Sequence, residues 1–172
     1  SNEACATTDI TIPSAPQNLV ADAAPYSATL RWDAVAGAES YKIYLLDEVV
    51  GTTTSPEYTI TGLDPEETYV YHVTAVNTKG ESARTGVEFT TPLPTPEAPQ
   101  LYATATGPAT VELTWNDPDF AETYKVYEGI RLVVEGISST TYTVYDLEAG
   151  EHCFTVIAVN SVGGESVESN TA

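Results

Sequence analysis

The stretch Leu63–Asn77, Leu-Asp-Pro-Glu-Glu-Thr-Tyr-Val-Tyr-His-Val-Thr-Ala-Val-Asn, returns near the C-terminus as Leu147–Asn160, Leu-Glu-Ala-Gly-Glu-His-Cys-Phe-Thr-Val-Ile-Ala-Val-Asn. The chain is one unit written twice, so whatever the first half folds into, the second half folds into as well. In the first copy Tyr69, Tyr71, Val73 and Ala75 alternate with Val70, His72, Thr74 and Val76. A period of two places one set on a buried face and predicts a strand in the middle of a sheet.

The repeat extends over most of the sequence. Ala15-Pro16-Gln17-Asn18-Leu19 opens one copy and Ala98-Pro99-Gln100-Leu101 the other. Leu30 and Trp32 of the first copy stand where Leu113 and Trp115 stand in the second. Tyr41-Lys42-Ile43-Tyr44 and Tyr124-Lys125-Val126-Tyr127 begin at the same spacing after their tryptophans. Short strands are expected near Val49–Thr53 and Leu132–Gly136, then near Glu57–Ile60 and Thr141–Val144. A last strand follows in the first copy over roughly Ser82–Thr91. With 172 residues, each half has about the size at which a small domain closes its own core. Eleven Pro, eleven Gly and no Met, with abundant Thr, Val and Tyr, fit short strands joined by turns.

Leu63, Pro65 and Tyr69 have the spacing of a tyrosine corner, in which a phenol at the start of a sandwich strand bonds back to the chain upstream. With Trp32 on an earlier strand, these residues make each copy similar to a fibronectin type III domain. The resemblance implies an all-β chain of two consecutive fibronectin type III-like (immunoglobulin-like) antiparallel β-sandwiches joined by a Pro-rich linker. The expected divisions are residues 1–15 as an N-terminal extension, 16–92 as the first domain, 93–98 as the linker and 99–172 as the second domain with a shortened last strand. Pro92, Pro94, Pro96 and Pro99 make the connection a stiff, extended spacer. Trp32, Tyr69, Trp115 and His152 are structural positions, and His152 takes the place of Tyr69 in a corner segment that is one residue shorter and has Ala149 in place of the proline.

The formal charge of −19 repels phosphate backbones and anionic membrane surfaces, which argues against nucleic acid and lipid partners. No apolar run is long enough to span a bilayer. No basic start followed by an apolar core is present, so an extracellular or cell-surface protein with its signal removed is the expected setting. No nucleophile is set beside a base and a carboxylate, and the histidines and cysteines lack zinc spacing, so neither catalysis nor a cofactor is expected. Calcium is the one cation the acidic turns suggest, at Asn116-Asp117-Pro118-Asp119, Asp47-Glu48 or Glu66-Glu67. None of these has the ordered ligand spacing of a calcium loop, and solvated turn acids are the expectation. Tyr44 and Tyr127 lie on outward sets of matching strands, where they could stack on sugar rings.

Aligning Gly80-Glu81-Ser82 with Gly164-Glu165-Ser166 sets Glu88 opposite Ala172, so the second copy has no counterpart of Phe89–Thr91. Thr8-Asp9-Ile10-Thr11-Ile12-Pro13 matches Val87-Glu88-Phe89-Thr90-Thr91-Pro92 in pattern. One reading is a head-to-tail filament at a cell surface, in which Thr8, Ile10 and Ile12 form a donor strand that pairs beside Cys153, Thr155 and Ile157 of the next subunit. A Cys5–Cys153 disulfide between subunits is then geometrically allowed. The other reading is a spacer, or a carbohydrate- or protein-binding module, within a larger secreted enzyme or adhesin, its partner a surface or polysaccharide ligand.

Overall fold

The computed structural model describes residues 10–172. The chain divides into two compact units, Ser1–Pro92 and Leu93–Ala172. Every regular element among the described residues is a strand.

In the first unit, β1 (Val20–Ala24), β2 (Ser27–Arg31) and β5 (Glu57–Thr61) form an antiparallel sheet in that order. The second sheet holds β3 (Ser40–Leu45), β4 (Glu48–Thr53), β6 (Thr68–Asn77), β7 (Gly80–Glu81) and β8 (Thr85–Thr90). There β3 lies between β4 and β6, and β7 and β8 both pair along the other side of β6. The alternation in the sequence sets the buried faces. Leu30, Ile43 and Val73, one from each of three strands, are completely buried, and Trp32, Tyr41, Ile60, Leu63, Tyr71 and Ala75 close around them. Each such side chain contributes about 1.5–3 kcal/mol through burial. Trp32 meets Tyr41 edge-on, with centroids 5.1 Å apart, and the Tyr41 hydroxyl accepts from the Val35 amide at 2.9 Å.

The second unit repeats the plan. One sheet is β9 (Leu101–Gly107), β10 (Thr110–Trp115) and β13 (Thr141–Val144), with β10 central. The other is β11 (Thr123–Glu128), β12 (Arg131–Ile137) and β14 (Phe154–Val159), with β11 central. Leu113, Val126, Phe154, Val156 and Ala158 are fully buried. Trp115 and Tyr124 reproduce the edge-on pair at 5.4 Å. Burial and a hydrogen bond to Asp117 Oδ1 at 2.5 Å push the Tyr124 phenol well above its ordinary pKa.

The segment expected to alternate as a donor strand behaves otherwise. Ile10–Pro13 form no strand, and Thr8 lies outside the described residues. The Thr11 carbonyl accepts from Asn77 Nδ2 at 2.8 Å, and Ile12 packs on Gly80. In the second unit the Pro94 carbonyl accepts from Asn160 Nδ2 at 2.9 Å across the same separation of 66 residues. Thr11 therefore matches Pro94, and the buried Pro13 and Pro16 match the buried Pro96 and Pro99. Residues 10–13 thus take the place of the second unit's lead-in, which the pattern match to Val87–Pro92 does not indicate. Two Pro-x-Ala-Pro-Gln segments, each anchored by the asparagine that ends a central strand, mark the correspondence.

Candidate functional site

The places where a partner strand was expected are the free edge of β14 and the corner that leads into it. In an antiparallel strand, alternate residues present their backbone groups to opposite neighbours. Along β14 the residues facing away from β11 are Phe154, Val156 and Ala158, and residues 166–172 occupy that edge. Phe154 exchanges backbone bonds with Ala172 at 2.9 and 3.2 Å, and Val156 and Ala158 accept from the Ser169 and Ser166 amides at 2.9 Å each. The amides of Val156 and Ala158 donate to the side-chain oxygens of Ser169 and Ser166. Two serines spaced by three residues thus stand in for a regular ladder. The first unit uses the device once, with Ser82 accepting from Ala75.

The expected acceptor set is corrected accordingly. Thr155 and Ile157 pair in register with Tyr127 and Lys125 of β11, so their backbone groups are committed on that side. The Cys153 carbonyl accepts from Gly129. Its thiol is exposed and free, and Cys5 lies outside the described residues. The one-residue offset arises because Ala172 pairs with Phe154 where Val87 pairs with Tyr71, whereas alignment of the glycine turns puts Glu88 there.

The two corners differ in chemistry. In the first unit the Tyr69 hydroxyl accepts from the Asp64 amide at 3.0 Å, which closes the turn Leu63–Glu67 onto β6. Thr91, directly after β8, braces that turn by donating to the Asp64 carbonyl at 2.6 Å. In the second unit His152 does the work. Its Nε2 lies 2.9 Å from the Glu148 carbonyl and its Nδ1 lies 2.5 Å from Glu128 Oε1. Arg131 holds the other carboxylate oxygen of Glu128, and the hydrogen bonds from Arg131 and His152 lower that carboxyl's pKa. The bond to the Glu148 carbonyl, followed by that to Glu128, raises His152 above the ordinary histidine value.

The outer face of β3 and β6 carries a polar cluster that sequence reasoning did not assemble. Glu81 accepts from Lys42 Nζ at 2.7 Å, from Thr74 Oγ1 at 2.8 Å and from the Tyr44 hydroxyl. Burial opposes ionisation of Glu81, but the hydrogen bonds from Lys42, Tyr44 and Thr74 outweigh it and hold the carboxyl at about 2. The Arg84 guanidinium lies 4.1 Å from the Tyr44 ring centroid. Tyr44 is consequently buried beneath an arginine, which rules it out as an open sugar-stacking platform in this conformation. Lys125 and Glu165 repeat the lysine–glutamate pair in the second unit at 2.7 Å. The recurring Lys before the second tyrosine and the Gly-Glu-Ser turns were the signals available for this pair. No group of three or more potential metal ligands occurs among the described residues. Among the described residues no helix is long and apolar enough to cross a membrane.

Two facing antiparallel sheets, a tryptophan–tyrosine core pair and a hydroxyl-closed corner define an immunoglobulin-like β-sandwich module. Residues 14–91, in the first unit, match the fibronectin type III domain, and the second unit repeats the same strand plan. A tail tube protein of Bacillus phage SPP1 is 44% identical over 78 residues, covering 42% of this chain and 28% of that protein. A Kelch domain-containing protein of Saccharolobus solfataricus is 30% identical over 157 residues, covering 81% of this chain and 21% of its own length. A poly(3-hydroxybutyrate) depolymerase of Ralstonia pickettii is 49% identical over 57 residues, covering 33% of this chain and 12% of the enzyme. The chain therefore spans less than a third of each of these relatives. Domains of this family are generally non-catalytic, and a structural, adhesive or modular role is the coarse reading they share.

Proposed function

We propose that the chain is a non-catalytic structural and spacing segment of a larger extracellular or surface-exposed protein, in which the two sandwiches are serial modules. The observation that carries this reading is the matched entry of the two units, Asn77 to Thr11 and Asn160 to Pro94 at one separation. Each unit secures its own lead-in segment with its own side chain, as a serially repeated module requires. The small share of each relative that the chain covers agrees with a modular role. The polar groups of the β14 edge over Phe154–Ala158 are engaged within the unit, which favours a module without an open strand slot there.

Head-to-tail strand donation is the competing reading. It requires Ile10–Pro13 to leave Asn77 and Gly80, and residues 166–172 to yield the β14 edge. Ile10 and Ile12 remain more than half exposed, at 59% and 54%, and are the feature that favours it. Sedimentation velocity of the intact chain at micromolar to millimolar concentrations separates the two. The spacing role predicts a monomer throughout, with no ladder on non-reducing electrophoresis. Polymers that vanish on deletion of residues 1–13, with both units still folded, would overturn it.

A further inference from the structure

We propose that the His152 corner is a proton-dependent latch, which fastens the segment Leu147–Gly150 onto the second unit when the imidazole carries a charge and loosens it when the imidazole is neutral. The geometry imposes this. A neutral imidazole has one N–H donor and one lone pair. Both nitrogens of His152 face acceptors, the Glu148 carbonyl at 2.9 Å and a Glu128 carboxylate oxygen at 2.5 Å. In either neutral tautomer one nitrogen lone pair confronts an oxygen lone pair. Only the doubly protonated ring donates to both.

The alternative, a protonated Glu128 that donates to a neutral ring, is opposed by Arg131 on the second carboxylate oxygen. The charged and titratable groups around the ring come from every element packed on it. Glu128 ends β11, Arg131 opens β12, Glu148 lies within the corner, and Glu151 and Cys153 flank the histidine. The β9–β10 turn meets the corner at a small cavity of about 130 Å³ with Gly107, Pro108, Ala109, Thr110 and Val111, none of them ionisable. Phe154 stacks beneath the ring at 6.5 Å.

The first unit has a phenol in this position that donates nothing to the corner. Its hydroxyl accepts from the Asp64 amide at 3.0 Å. The two-acceptor arrangement around an imidazole therefore belongs to the second unit's corner. With the folded pKa above the free value of 6.5, the latch contributes fully below about pH 6.5 and is lost as pH rises through the folded pKa. Loss of the latch leaves the corner tied by the Leu147 amide, which donates to the Ala109 carbonyl at 3.1 Å, and by the packing of Leu147 on the core.

The test uses the full chain, which has two histidines. NMR titration of the imidazole protons, assigned with His152→Tyr, should place His152 above 6.5. Urea unfolding of the second unit, followed through Trp115 in a Trp32→Phe background, should show a midpoint that falls between pH 6 and pH 8. His152→Tyr should remove that dependence and Glu128→Gln should reduce it. A His152 pKa at or below 6.5, or an undiminished slope in His152→Tyr, would overturn the latch. Should His152→Tyr fail to fold, the titration of the unsubstituted histidine still decides.

Discussion

Asn77 and Asn160 do equivalent work with unequal numbers of bonds, which makes them a sharp test of how the units are closed. Asn77 is 7% exposed; its Nδ2 donates to Thr11 and Gly37 carbonyls at 2.8 and 3.2 Å, and its Oδ1 accepts from Lys79 and Gly80 amides at 2.8 and 3.2 Å. Asn160 is 4% exposed and makes two such bonds, to Pro94 and from Gly164, at 2.9 and 2.8 Å. A hydrogen bond contributes about 0.5–1.5 kcal/mol net, and a buried partner left unsatisfied costs about 1–3 kcal/mol. Two of the four Asn77 bonds are long, and water reaches some of the groups it would orphan. Asn77→Ala should therefore destabilise the first unit by about 2–3 kcal/mol and Asn160→Ala the second by about 1–2 kcal/mol. For units of this size that corresponds to a fall in Tm of roughly 4–8 °C for each kcal/mol.

Asn77→Asp separates donor from acceptor. It keeps the oxygen for Lys79 and Gly80 but turns a carboxylate oxygen toward the Thr11 and Gly37 carbonyls, so it should be at least as damaging as Asn77→Ala at neutral pH. The assay is urea unfolding with one tryptophan reporting each unit, through Trp32 or Trp115 alone. If Asn77→Ala costs less than about 0.5 kcal/mol, below the value of a single bond, residues 10–13 are not held as described and the matched entry of the units fails with them.

Tyr69→Phe removes one hydrogen bond and should cost the first unit about 1 kcal/mol in urea unfolding, without shifting the second transition. Leu46 sits in the left-handed region at φ 55° where the second unit has Gly129 at φ 56°. Leu46→Gly should therefore raise the stability of the first unit by about 0.5 kcal/mol, the released strain outweighing the added chain entropy. Ser169→Ala deprives the buried Val156 amide of its acceptor and should cost the second unit about 1–2 kcal/mol, with faster hydrogen exchange at Val156. Since the Glu81 carboxyl is held at about 2, its contribution is complete above its free value of 4.5 and lost as pH falls toward 2. Glu81→Gln should flatten the acid limb of the first unit's stability profile in that window.

Much of the fold was legible because side-chain period and repeat register act locally. Tyr69, Tyr71, Val73 and Ala75 announce a strand, and Trp32 and Trp115 at one spacing announce matching cores. The Leu63–Tyr69 corner was legible for the same reason, since donor and acceptor are five residues apart. Short alternating segments carry less information. Ile10-Thr11-Ile12-Pro13 fits more than one register by pattern, and the bond from Asn77, 66 residues away, selects another. How Phe154–Ala158 are closed was not legible, because Ser166 and Ser169 use side chains where a ladder would use backbone and sequence alternation does not record that. His152 was seen as a substitute for a corner tyrosine, but Glu128 approaches from 24 residues away on β11.

The sequence by itself determined that there are two sandwiches, which faces their strands bury and where their corners turn, because apolar alternation and turn chemistry are properties of neighbouring residues. Only the tertiary structure decided which segment seals each edge and which group charges each corner. Those outcomes depend on hydrogen-bonding atoms that meet across strands, where distance along the chain says nothing about distance in space.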